Sequence, residues 1–184
     1  MVKKKYQRKC PCGSGLFFKD CCEIPVEGET PEEIKKIIEN CIIKTFEYTN
    51  SRAELCIYVA NLTKDLLELF DIRSYVVAGS AKWKYYTTWF QWKPHDTPMQ
   101  YHAWCISQYG ETIDLACGAM NERFDGGGLQ AKMLNLKPPS NCWCKNPSDR
   151  EYIVRDLGAK QIAMSEHSYK RIKKTALNLR VTNE

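Results

Sequence analysis

Four cysteines near the start of the chain constrain its folding more than any other feature. Cys10-Pro11-Cys12 is followed by eight residues and then by Cys21-Cys22. Gly13-Ser14-Gly15 supplies a turn whose backbone amides can point back at the sulfurs. Four thiolates at this spacing suit a tetrahedral zinc ion. The pattern predicts one structural zinc per chain, held by Cys10, Cys12, Cys21 and Cys22. The chain carries 10 cysteines in 184 residues, and no apolar run follows its basic start, so no signal peptide is read there. The cysteines therefore read as metal ligands, reactive thiols or buried free thiols in a reducing cytoplasm, rather than as disulfides.

The segment Arg8 to Cys22 resembles the SEC-C motif through its C-x-C, its Gly-Ser-Gly and its final Cys-Cys. That resemblance implies zinc binding and, for some members, contact with protein partners or ribosomes. Phe17 and Phe18 stand where the family usually has a Lys-rich, Tyr-containing stretch, so a surface differs while the metal ligands do not. The net charge of +5 comes from 27 Lys and Arg against 22 Asp and Glu. Lys3, Lys4, Lys5, Arg8 and Lys9 equal that surplus, and the remainder is formally neutral. Such a head suits contact with nucleic acid or a ribosome. It equally offsets the net −2 of four thiolates around one zinc.

Glu23 to Glu29 is an acidic linker containing Pro and Gly, which places a zinc module at 1–28 and a larger domain at 29–184. Thr30-Pro31-Glu32-Glu33 reads as a capping box with Pro at the first helical position. Ile34, Ile37, Ile38, Cys41, Ile42 and Phe46 follow at helical spacing, to about residue 47. Ser51-Arg52-Ala53-Glu54 repeats the box before a helix with Leu55, Val59, Leu62, Leu66 and Phe70 on one face. Residues 72–83 alternate and carry Tyr75, Val76, Val77 and Trp83, predicting a strand in which Gly79 marks a bulge or a close approach. Lys84 to Trp92 reads either as a second strand or as an aromatic flap. His95 falls in a Pro-flanked loop and reads as solvated.

Tyr101 to Ile106 and Thr112 to Leu115 read as two strands joined by a turn at Tyr109-Gly110-Glu111. His102 lies near the start of the first and Asp114 on the second. An imidazole and a carboxylate on neighbouring strands are what a nucleophile needs for activation, and Cys56, on the most amphipathic helix, is the candidate thiol. Cys56 on a helix, then His102-Ala103-Trp104, then Ile113-Asp114 resembles the papain-like and transglutaminase-like cysteine enzymes. The resemblance implies Cys56 as nucleophile, His102 as general base and acid, and Asp114 as orienting group. It also implies an oxyanion donor, for which Asn50 stands at the offset used by papain-type members. No Gly or Trp flanks Cys56, a departure from that pattern. From its own stretch alone Cys56 reads rather as a small buried residue on a core helix than as a nucleophile.

Beyond Ala116, Gly126-Gly127-Gly128 reads as a loop suited to a lid. Cys142-Trp143-Cys144 repeats a C-x-C spacing that, with Cys117, suggests a second metal lacking a fourth ligand. Ser148-Asp149-Arg150-Glu151 reads as the start of a short helix ending near Gly158. A last helix starts near Glu166, with His167 exposed. No run approaches 18 apolar residues, so no membrane span is read. The fold class is α+β, helices packed on an antiparallel sheet. Two functions fit: a cytoplasmic thiol acyl-transfer enzyme (amide hydrolase, peptidase or transamidase) acting on a protein or peptide, or a non-catalytic binding protein whose zinc module and basic head dock a protein partner or a ribosome.

Overall fold

The computed structural model describes residues 8–46, 55–83, 89–97, 99–116 and 140–181. Its centre is a long strand, β1 (Ser74–Trp83), whose residues are buried on both faces except Lys82. A strand buried on both faces reads as a near-continuous apolar run rather than as strict alternation. Strands β2 (Trp89–Phe90), β3 (His102–Ser107), β4 (Thr112–Asp114), β5 (Cys142–Cys144) and β6 (Arg150–Leu157) complete an antiparallel sheet. Both β3 and β6 pair with β1 at Ala78 and Gly79, so they lie on its two edges. Both β2 and β6 pair with it at Ala81 and Lys82, so β2 continues the edge that β3 begins. β4 and then β5 follow outward from β3.

The stretch read as a short helix from Ser148 is strand β6. Tyr152, Ile153 and Val154 favour a pleated surface, and β1 would otherwise leave a row of backbone groups unpaired along that edge. Gly79 does sit at a bulge: the β1–β6 register shifts between Ala78 and Gly79. A Cβ there would lie 2.0 Å from the Ile153 carbonyl oxygen, so only glycine lets β6 come this close.

Among the described residues, three helices stack on one face. Helix α2 (Cys56–Glu68) lies directly on β1 and β3, while α1 (Glu32–Phe46) packs between α2 and α3 (Glu166–Val181). Val76, Ala78, Ala103, Cys105 and Ile113 supply the sheet side of this core, and Val59, Leu62 and Leu66 of α2 the helix side. α3 is tied to α2 by the Tyr169 hydroxyl, which donates to Asp65 Oδ2 at 2.6 Å, and by Lys173, 2.7 Å from the same oxygen. No helix among the described residues is long and apolar enough to cross a membrane.

The capping box read from Thr30 and Glu33 does not form. The Thr30 amide and hydroxyl instead donate to the Glu111 carboxylate, at 3.2 and 2.6 Å. Glu111 is buried in the β3–β4 turn, and it also accepts the Ser107 hydroxyl at 2.7 Å. A buried carboxylate costs more to leave unsatisfied than an exposed helix end, so Thr30 serves the turn. The second box, Ser51 to Glu54, lies outside the described residues.

Gly79→Ala is expected to destabilise the fold by about 3 kcal/mol, because the backbone of β6 must retreat from β1. Urea denaturation measures it; a loss under roughly 0.5 kcal/mol, the range of ordinary surface changes, would show that β6 is not held at this distance.

Candidate metal centre and the buried histidine pair

The first twenty described residues fold around sulfur. Lys9 and Phe17 form an isolated antiparallel bridge, and the Cys10 amide donates to the Leu16 carbonyl at 2.8 Å. Gly13 and Gly15 have φ of +87° and +76°, torsions that a side chain disfavours. This turn brings Cys12 back toward Cys21 and Cys22, which follow a single 3-10 turn at Phe18–Asp20. The four sulfurs lie within 4.8 Å of one another, with Cys12–Cys21 at 3.6 Å and Cys21–Cys22 at 3.7 Å. Zinc–sulfur bonds of about 2.3 Å in a tetrahedron place sulfurs about 3.8 Å apart. The donor set therefore fits one zinc with all four positions taken by sulfur, the pattern of a structural site.

Donors around the cluster favour thiolates. Burial pushes the Cys12 thiol up, but hydrogen bonds from the Ser14 side chain and amide outweigh it and bring Cys12 down to about 7. The Arg73 guanidinium donates to the Cys21 sulfur at 3.3 Å. Burial holds the Cys10 and Cys22 thiols above their ordinary value. Metal loading must then release protons from these two, so zinc affinity falls as pH falls.

The module is not a separate knob. Cys10 and Cys22 are buried in one cluster with Tyr75, Val77 and Trp104, side chains of the sheet face that points away from the helices. Phe18 packs edge to face on Tyr75 with ring centroids 5.6 Å apart. One of the two residues that depart from the SEC-C pattern thus faces the sheet. The linker does not separate two cores either: the Val26 amide donates to the Gln108 carbonyl at 2.8 Å, beside the β3–β4 turn.

His102 and Asp114 come together as read. His102 Nε2 lies 2.7 Å from Asp114 Oδ2. A carboxylate only accepts, so Nε2 carries the hydrogen. Register places Cys105 opposite Ile113, so Asp114 lies beside Trp104, and the long imidazole of His102 spans the diagonal. A third partner was not legible: the Tyr152 hydroxyl, from β6, donates to the same Oδ2 at 2.6 Å. Reading residues 150–157 with period two would have placed Tyr152 on this face.

Cys56 does not join them. It opens α2, as nucleophilic activation would require, yet it is only 4% exposed and packs in the core between the helices and the sheet. Alternation along β3 puts Ala103 and Cys105 on that side and His102 with Trp104 on the other. The His102 ring is boxed by Trp83, Phe90, Trp104 and Tyr152, with centroids 5.4 to 6.3 Å away. The sheet therefore stands between thiol and imidazole, and the expected Cys56–His102–Asp114 relay is not assembled. His102 itself is 1% exposed, leaving a substrate carbonyl no approach to it. Asn50, the oxyanion candidate, lies outside the described residues, as do Lys3, Lys4, Lys5, Cys117 and the glycine run at 126–128. His95 and His167 are exposed, as the sequence suggests.

The SEC-C motif family matches residues 9–24. No curated protein matches the sequence. A solved structure described as "The crystal structure of genomics APC5867" is similar over 84% of this chain and 81% of its own, with a TM-score of 0.50 and 15% identity. At that identity the likeness concerns the fold alone, and it carries no papain-like or transglutaminase-like assignment.

Three outcomes follow. Elemental analysis of the purified chain is expected to find one equivalent of zinc, and stripping it at low pH should change Trp104 fluorescence, because the cluster and the indole share one core. Cys21→Ser should lower the melting temperature of the whole protein; a sheet that melts unchanged would show two independent units. Cys56 should resist iodoacetamide at neutral pH in the folded chain and react only in denaturant, since a buried structural thiol is inert.

Proposed function

We propose that the protein is a zinc-stabilised binding protein whose SEC-C module docks a protein partner or a ribosome, and that its second domain is not a thiol acyl-transfer enzyme. The observation that carries this reading is the outer surface of the module. Leu16, Ile24 and Val26 are 51%, 73% and 43% exposed, and Arg8, Lys9 and Lys19 are exposed close to them in the chain. Exposed apolar side chains among cations are the composition of a docking surface. Zinc holds that surface rigid from beneath, and anchoring Cys10 and Cys22 on the sheet lowers the ordering cost of binding. Acyl transfer by Cys56, by contrast, would have to do without His102, which lies on the other face of the sheet.

Co-sedimentation with purified ribosomal subunits tests the ribosomal form of this reading. Retention at low salt that falls as salt rises is expected, with Leu16→Glu and Ile24→Glu each weakening it about tenfold, or about 1.4 kcal/mol. Both side chains are exposed, so both variants should melt like the wild type. Absence of retention at low salt would remove the ribosome and leave a protein partner. Hydrolysis of an activated acyl ester that Cys56→Ala abolishes would overturn the reading altogether.

A further inference from the structure

The C-x-C of β5 lies outside the zinc module and outside the docking surface. β5 ends the sheet order and pairs with β4 through Thr112↔Cys144, Ile113↔Trp143 and Asp114↔Cys142. Trp143 packs toward the helical core, so by alternation Cys142 and Cys144 share the opposite face. Their sulfurs converge to 3.8 Å. Cys142 is buried and Cys144 exposed. The inner sulfur is held in place, with a contact of 3.7 Å to the Thr112 carbonyl, while the outer one opens to solvent.

We propose that Cys142 and Cys144 form a second, open thiolate site: a two-sulfur chelate for a soft, thiophilic cation. The separation of 3.8 Å matches the edge of a sulfur tetrahedron around a zinc-sized ion, about 3.8 Å, and lies close to the separations of 3.6 and 3.7 Å in the four-cysteine cluster. The sulfurs need not move to chelate. A disulfide needs them at about 2.05 Å, and both are free thiols here. Soft thiolates select soft cations over magnesium or calcium. Among the described residues two sulfurs serve this site, and the exposure of Cys144 leaves it open on that side, in contrast to the four-sulfur cluster at Cys10, Cys12, Cys21 and Cys22. On binding, each thiol gives up its proton to solvent and its sulfur lone pair to the cation. Cys142 stands opposite Asp114, so metal at this edge also borders the His102–Asp114–Tyr152 cluster.

Phenylarsine oxide, which closes on two neighbouring thiols with loss of one water, reports such a pair. Native mass spectrometry of the zinc-loaded full chain is expected to show one arsenical added and the zinc retained. Cys144→Ser, at an exposed position that leaves the fold intact, should abolish the adduct. A cadmium titration of the same zinc-loaded protein should show a sulfur-to-cadmium absorbance step that Cys144→Ser loses, while zinc content stays at one. No adduct on the folded chain, an adduct that survives Cys144→Ser, or one that forms only with loss of zinc would each overturn the proposal. None of these readouts depends on ribosome or partner binding.

Discussion

A central strand, β1, buried on both faces is the constraint on which the rest depends. The helices cover one face through α2. The other carries Tyr75, Val77, Trp104 and Tyr152, and among the described residues the four-cysteine module packs there, with Cys10, Cys22 and Phe18 against those side chains. A metal site is thus part of the hydrophobic core. A segment this small cannot bury enough apolar area to order itself, so a metal held by its four cysteines would fix its shape and present the sheet with a formed surface. Zinc binding and sheet stability are therefore linked, since binding free energy to a site formed only on folding is folding free energy.

Two buried carboxylates pin the elements that the core alone leaves loose. Glu111 joins the start of α1 to the β3–β4 turn through Thr30 and Ser107. Asp114 joins β4 to β3 and β6 through His102 and Tyr152, and its Oδ1 accepts the Ala116 amide at 3.2 Å. Each collects several donors, which is how a carboxylate survives burial. The arrangement at Asp114 has the local geometry of a catalytic dyad and the surroundings of a structural pin: aromatic rings on its flanks and almost no exposure.

The four-cysteine cluster was legible because its chemistry depends on short sequence spacing, and a Gly-containing turn supplies the reversal locally. The His102–Asp114 pair was legible because a hairpin is local too. Cys56 was misread for a physical reason. Sequence order can place a thiol on a helix and an imidazole on a strand, but the side of the sheet each one faces depends on strand parity and on which face the helix covers. The reading of Ser148 to Gly158 as a helix failed in a related way, since a strand forms there to pair the open edge of β1. Gly79 shows the opposite case, a residue whose type alone announced a close backbone approach.

The sequence by itself determined the four-cysteine cluster, the α+β class and most element boundaries, since each rests on spacing, periodicity or turn chemistry within a few residues. Only the tertiary structure decided that the zinc module is part of the core, that Glu111 holds Thr30, that Tyr152 completes the cluster at Asp114, and that Cys56 faces away from His102. Those outcomes join residues from 38 to 81 positions apart or turn on which face of a sheet is covered, and no local pattern encodes either.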